Sequence, residues 1–177
     1  MQYSFNLYNE MASTGIVMAL SSLLTDEKPP VILCIGSDLV TGDSLGPITG
    51  TLIARKTAEI PTYIYGNLSA PVTAKEVVYA EKFLKKIHPG RKILAIDAAI
   101  GGEGEAGLIH VQSGPLSPGS GAGKKIEKVG DVSVLGIIAE KSLFNYAVLS
   151  SIRLNVVYKM SEIIAESISL FLWNKNC

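Results

Sequence analysis

Histidine, cysteine and tryptophan are almost missing from this chain, with two, two and one residues among 177. The two cysteines, Cys34 inside an apolar run and Cys177 at the last position, form neither a disulfide framework nor a metal-type spacing. Cys34 reads as a small core side chain, and a reducing cytoplasm suits both thiols. Net charge is missing too: lysine plus arginine balances aspartate plus glutamate at 16 each, and only 18% of residues are charged. No global field draws such a chain to nucleic acid or to an acidic membrane. Nor is there an apolar run of the ~20 residues needed to span a bilayer. Met1 to Leu24 lacks a basic leader, carries Glu10, and has Gly15 to Leu24 as its longest nearly apolar stretch. It reads as an amphipathic helix, with Met11, Ile16, Met18, Leu20, Leu23 and Leu24 facing the body of the protein or a second copy. A detachable N-terminal appendage is the alternative.

What is present is a core. With 47% hydrophobic residues, the chain holds enough apolar mass for one domain over residues 1–177. Val31 to Ile35, bounded by Pro29-Pro30 and Gly36, has the continuous apolar character of a strand buried on both faces of a parallel sheet. Lys92 to Ile96 repeats it, and the two are expected to be central parallel neighbours. Thr62 to Tyr65 and Asp131 to Ile138 read as further strands, and Gly107 to Gln112 as an antiparallel one at an edge, too close behind its predecessor for a helical crossover. Helices are expected over Leu45 to Thr57, over Ala74 to Ile87 with a Thr73/Glu76 capping box, and over Ile152 to Trp173. The fold class is therefore α/β, a three-layer sandwich around a mostly parallel sheet with an antiparallel edge.

The chemistry is expected at the carboxyl ends of the strands, where open α/β sheets bind ligands. Val31 to Ile35 runs into Gly36-Ser-Asp-Leu-Val-Thr-Gly-Asp-Ser-Leu-Gly-Pro47, which holds Asp38, Asp43 and Ser44. Asp43 or Ser44 can cap the helix that follows, but capping accounts for one of these residues and not for all. Lys92 to Ile96 delivers Asp97 to the same edge, so Asp43 and Asp97 are the expected catalytic pair, at the spacing of neighbouring strands, ~4.8 Å. Gly36, Ser37, Asp38, Ser44 and Asn67, which follows the strand from Thr62 to Tyr65, are candidate substrate contacts. The glycine-rich stretch from Ser113 to Lys125 lacks the Ser or Thr that a phosphate loop needs after its lysine. Its amides, with Gly119, Ser120 and Gly121 foremost, can instead cradle an oxyanion or a substrate backbone. His88 reads as a solvated residue after a helix and His110 as a structural residue of a strand.

The loop from Gly36 to Pro47 resembles the glycine-rich aspartate loop of the spore germination proteases, and Leu94-Ala-Ile-Asp-Ala98 resembles their second aspartate motif. Pro118-Gly-Ser-Gly-Ala-Gly123 is similar to a third. A more distant similarity links the same arrangement to the hydrogenase maturation proteases, in which residues at the places of Asp43 and Asp97 bind nickel. Over nearly the whole chain, including Val129-Gly-Asp131 and Arg153-Leu154, the sequence is similar to the YyaC-type sporulation protein family, a group expected to be proteases. The resemblance implies a phosphorylase/peptidyl-hydrolase-like fold with Asp43 and Asp97 in the positions of the germination protease's catalytic aspartates. It does not carry over zymogen processing, because the germination proteases are longer and have a removable propeptide.

These residues suit a sporulation-associated endopeptidase, a hydrolase in which one aspartate keeps a proton while the other activates water. The expected partner is a protein or peptide substrate, with no cofactor, no metal, no nucleic acid and no membrane, in the cytoplasm of the sporulating cell or spore. Homo-oligomerisation is left open. Two other classes stay beside this reading: a catalytically silent interaction protein on a peptidase scaffold, and a nickel-dependent maturation protease, for which no third histidine ligand is evident.

Overall fold

The computed structural model describes residues 1–119, 127–141 and 149–176. Among these residues one six-stranded sheet runs in the order β1-β5-β6-β4-β2-β3. Its strands are β1 (Gln2–Asn6), β2 (Val31–Cys34), β3 (Tyr63–Tyr65), β4 (Ile93–Gly101), β5 (Leu108–Ser113) and β6 (Val132–Glu140). Helices α1 (Ala12–Leu23), α2 (Leu45–Lys56) and α4 (Leu154–Asn176) cover one face and α3 (Val77–Ile87) the other. This is the expected three-layer α/β sandwich.

Strands β2 and β4 are parallel neighbours in the register Val31↔Ile93 to Cys34↔Ile96, with β3 beyond β2 and β6 beyond β4, both parallel. All four residues of β2 are buried because both faces of the sheet are roofed. Ile32, Leu94, Ile96 and Val134 pack towards α1, α2 and α4, while Leu33, Ile93 and Ala95 pack towards Val77 and Leu84 of α3. Each buried aliphatic side chain of this kind contributes about 1.5–3 kcal/mol by removal from water. Cys34 belongs to the first cluster, and burial pushes its thiol far above the ordinary range.

Three features differ from the sequence reading. Gln2–Asn6 is an edge strand paired antiparallel with β5, so β5 is second from the edge and the helix starts only at Ala12. Of the apolar residues expected to face inward from this helix, Ile16, Leu20 and Leu24 are buried, whereas Met11 and Met18 are exposed. Helix α3 starts at Val77 rather than Ala74: the Thr73 hydroxyl donates to the Glu76 carboxylate, and no side chain caps the helix amides. His88 is half-buried rather than free in solvent: its ring is tilted at 45° against Tyr63 at 4.1 Å between ring centroids, and its Nε2 lies 2.8 Å from the Tyr65 hydroxyl.

Two glycines let the loop after β2 fold back onto the strand. At Gly36, with φ +142, a Cβ would stand 2.0 Å from the Asp43 carbonyl oxygen. At Gly46 it would stand 2.0 Å from the carbonyl oxygen of Ile35. Bare backbone is therefore required where α2 begins against the end of β2. Gly46→Ala should cost about 3 kcal/mol, since neither backbone atom can yield. For a domain of this size that is a fall of roughly 6–12 °C in Tm. Gly104→Ala, at a turn with nothing within 4 Å of the added carbon, should cost only about 1–2 kcal/mol of left-handed strain. Equal melting shifts in the two variants would show that the contact at Gly46 does not constrain the fold.

Candidate active site

The site is built from the last turn of one strand and the middle of another. The β2 ladder stops at the pair Cys34↔Ile96, while β4 continues to Gly101 along β6. Asp97 is therefore not at a strand end, as its sequence suggested, but at the first β4 position that β2 no longer flanks. The loop from Gly36 fills the vacated place. The Ser37 N–H donates to the Asp43 carbonyl oxygen at 3.0 Å, and a 3-10 turn over Thr41–Ser44 leads straight into α2. In that turn the Ser44 hydroxyl donates to the Thr41 carbonyl oxygen at 2.6 Å, and α2 has no side-chain cap. Neither Asp43 nor Ser44 thus serves as the cap that would explain it without chemistry.

Asp43 and Asp97 are brought close enough for charge on one to act on the other. Asp97 is 3% exposed, and its carboxyl is held well above the usual carboxylate range, first by burial and then by repulsion from Asp43. The main-chain amides of Ala98, at 2.9 Å, and Gly119 pull the other way by donating to it. Asp43 is half-buried and raised less, through burial, with the Ser37 amide opposing. Gly119 therefore reaches the site, but its N–H is aimed at Asp97 rather than held free for an oxyanion. Ser120 and Gly121 lie outside the described residues.

The remaining candidates divide. Gly36 is buried under the loop and Ser37 receives the Leu39 N–H on its hydroxyl, so both shape the loop that carries Asp43. Asn67 uses its side-chain oxygen on the N–H groups of Ser69 and Ala70, which makes it a turn former. Asp38 is exposed and, together with Ser44, lines a cleft of about 290 Å³ between α2, Leu68, Leu154 and Tyr158. Leu68, Leu154 and Tyr158 were not expected as site residues from sequence, because their convergence depends on how α4 lies against α2. His110 occupies the same row of the sheet as Asp97, through His110↔Leu135 and Leu135↔Asp97. In-register partners share a face, so the two residues stand about two strand spacings, ~9.6 Å, apart. His110 Nδ1 lies 2.5 Å from Gln2 Nε2, and its Nε2 is buried without a partner.

The profile of the family described as "Protein of unknown function (DUF1256)" matches residues 4–167, a span that contains both aspartates. The chain belongs to this family. A relative from Bacillus subtilis (strain 168), described as "Uncharacterized protein YyaC", is 38% identical over 162 residues, which cover 90% of this chain and 78% of that protein. The likeness to YyaC read from the motifs thus holds for the greater part of both chains.

In this DUF1256 chain the nickel chemistry implied by the hydrogenase maturation proteases lacks a ligand set. Among the described residues no three His, Cys, Asp or Glu side chains gather, and His110 stands two strands away from Asp97. The described residues do not fit a nickel site. They bring a buried carboxyl that is raised well above the usual range close to a more exposed one that is raised less.

A raised carboxyl has a definite effect on stability. The unfolded Asp97 ionises near pH 4, the folded one well above, so the native state binds the extra proton between those limits. Stability is then complete at low pH and declines as pH rises through that window. Asp97→Asn removes the titration while keeping the side-chain oxygen that Ala98 and Gly119 bond. Its Tm should match wild type near pH 4 and exceed it by a margin that widens towards pH 8. A constant difference across melts from pH 4 to pH 8 would show that the Asp97 carboxyl is not held protonated.

Proposed function

We propose that this protein is a peptidase that hydrolyses peptide bonds with the Asp43/Asp97 pair, acting in the cytoplasm of a sporulating cell or spore. The observation that carries the reading is a fully buried Asp97 inside β4 whose carboxyl is raised by burial and by Asp43 together, with Asp43 on a loop that does not use it as a helix cap. Neighbouring groups with pKa values pushed apart are the usual arrangement of a general acid and a general base. The resemblance to the spore germination proteases at Gly36 to Pro47 and at Leu94 to Ala98 supports the assignment of peptide as substrate and of sporulation as setting.

The roles follow from the two environments. Asp97, the more strongly raised, keeps its proton and donates it towards the carbonyl oxygen of the scissile bond as attack begins. Asp43, nearer to solvent, takes a proton from the water that attacks the carbonyl carbon. When the C–N bond breaks, the proton gained by Asp43 passes to the departing amine, and the pair regains its single shared proton from the tetrahedral hydroxyl. Ala98 and Gly119 hold the Asp97 carboxyl in one orientation throughout.

Asp43→Asn and Asp97→Asn should each reduce cleavage by ~10²–10⁴, the contribution of a positioned acid or base. The measurement is mass spectrometry of new peptide termini after wild type and both variants are incubated with a denatured cytoplasmic protein pool. Undiminished cleavage by a folded variant would remove that aspartate from the mechanism. A folded wild type that cuts nothing in the pool would favour an interaction protein on a peptidase scaffold.

A further inference from the structure

The outer surface of the α2 and α4 layer carries a groove that the aspartate pair does not use. Its upper part is the 290 Å³ cleft lined by Asp38, Ser44, Ile48, Leu68, Leu154 and Tyr158. It adjoins through Leu52 a cavity of about 510 Å³, where Lys56 of α2 faces Lys159, Glu162 and Glu166 of α4. That cavity in turn shares Leu7, Tyr8, Ile163 and Glu166 with a third of about 300 Å³, beside Glu10. The track therefore starts on the loop that holds Asp43 and descends between the helices. From Ser44 to Lys56 it covers about 18 Å at the helical rise of 1.5 Å per residue. That length takes five or six extended residues at about 3.3 Å each.

Its lining is apolar and uncovered at one end and charged further down. At the upper end Leu68, Leu154 and Tyr158 remain at least 43% exposed, and at the lower end Tyr8 is 75% exposed. Arg55 stands in the upper cleft beside the first three, Lys56 and Lys159 come further down, and then the carboxylates of Glu162, Glu166 and Glu10. Among the described residues none of these six charges belongs to an ion pair. Charges left unpaired along a groove set a pattern that a complementary chain can meet.

We infer that the α2/α4 groove is a docking track for an extended segment of the substrate polypeptide, remote from the bond that is cut. The segment carries apolar side chains against Leu68, Leu154 and Tyr158, acidic ones against Arg55, Lys56 and Lys159, and basic ones against Glu162 and Glu166. The inference deepens the peptidase reading, in that the substrate is then selected by this pattern and presented to Asp43 over the loop from Gly36 to Ser44.

The test is binding, which does not require cleavage. Fluorescein-labelled twelve-residue peptides are made with an apolar block, a glutamate block and a lysine block in that order, in both chain directions. Counterparts have glutamate and lysine exchanged. Anisotropy titrations use wild type and Asp97→Asn. One direction of the patterned peptide should bind at least tenfold more tightly than its exchanged counterpart. Arg55→Glu with Lys56→Glu should abolish or invert that preference, and Leu154→Asp should weaken binding at least tenfold with an unchanged Tm. Equal affinity for patterned and exchanged peptides, or no binding at all, overturns the proposal. So does a dimer that dissociates on Leu154→Asp without binding peptide, which would give the groove to a second copy. The peptidase reading fails separately: patterned peptide bound in the groove with no cleavage of any substrate sinks catalysis and leaves the track. Unaltered binding and cleavage in the groove variants sinks the track and leaves catalysis.

Discussion

A carboxylate surrounded by an apolar sheet must either find compensating donors or give up its charge, and Asp97 does both in part. Two main-chain amides point at it, while burial and the nearby Asp43 make ionisation costly and raise its carboxyl well above the usual range. The local architecture is arranged around that cost. β2 ends one residue short of Asp97, Gly36 and Gly46 let the returning loop press on the strand end, and the turn over Thr41–Ser44 delivers a second carboxylate where solvent still reaches. Without the bare backbone at those glycines Asp43 would be held further away, and Asp97 would be a buried acid with no partner.

The proposed acid pair and the proposed docking track lie on different parts of the α/β scaffold. The acid pair sits at the carboxyl edge of the sheet, on elements fixed by the β2, β4 and β6 ladders and by hydrogen bonds within the loop. The outer surface of α2 and α4 carries exposed apolar and unpaired charged side chains that no such ladder constrains. Rigid placement suits proton transfer, which loses efficiency with small displacements. A helix surface is freer to vary in side-chain pattern while the site stays put, so in the proposed reading recognition and chemistry can be altered independently.

Much of the fold was legible because β2 and the first half of β4 are continuous apolar runs ended by glycine or aspartate, a pattern that only a doubly covered parallel strand requires. Where the reading failed, the deciding contact lay far away in the chain. Gln2–Asn6 alternates Tyr3 and Phe5 with polar residues, a period-two signal, but five residues at a terminus become a strand only by pairing with β5 more than a hundred positions later. His88 looked solvated because nothing near it in sequence shows that Tyr63 and Tyr65 will stand against it. Thr73 and Glu76 have capping-box spacing, yet their side chains bond each other ahead of a helix that begins at Val77.

By itself the sequence determined the two aspartates, the glycines that surround the first of them, and the parallel core strands that carry both. These depend on local rules: a strand buried on both faces must be apolar throughout, and a loop folded tightly onto its own strand must lack side chains at the contact. Only the tertiary structure decided that Asp97 lies inside a strand, that Asp43 comes near enough to raise it, that Gly119 spends its amide on the acid, and that Leu68, Leu154 and Tyr158 converge. Those outcomes depend on the register between strands and the placement of α4 against α2, and both are set by the joint packing of residues scattered over the whole chain.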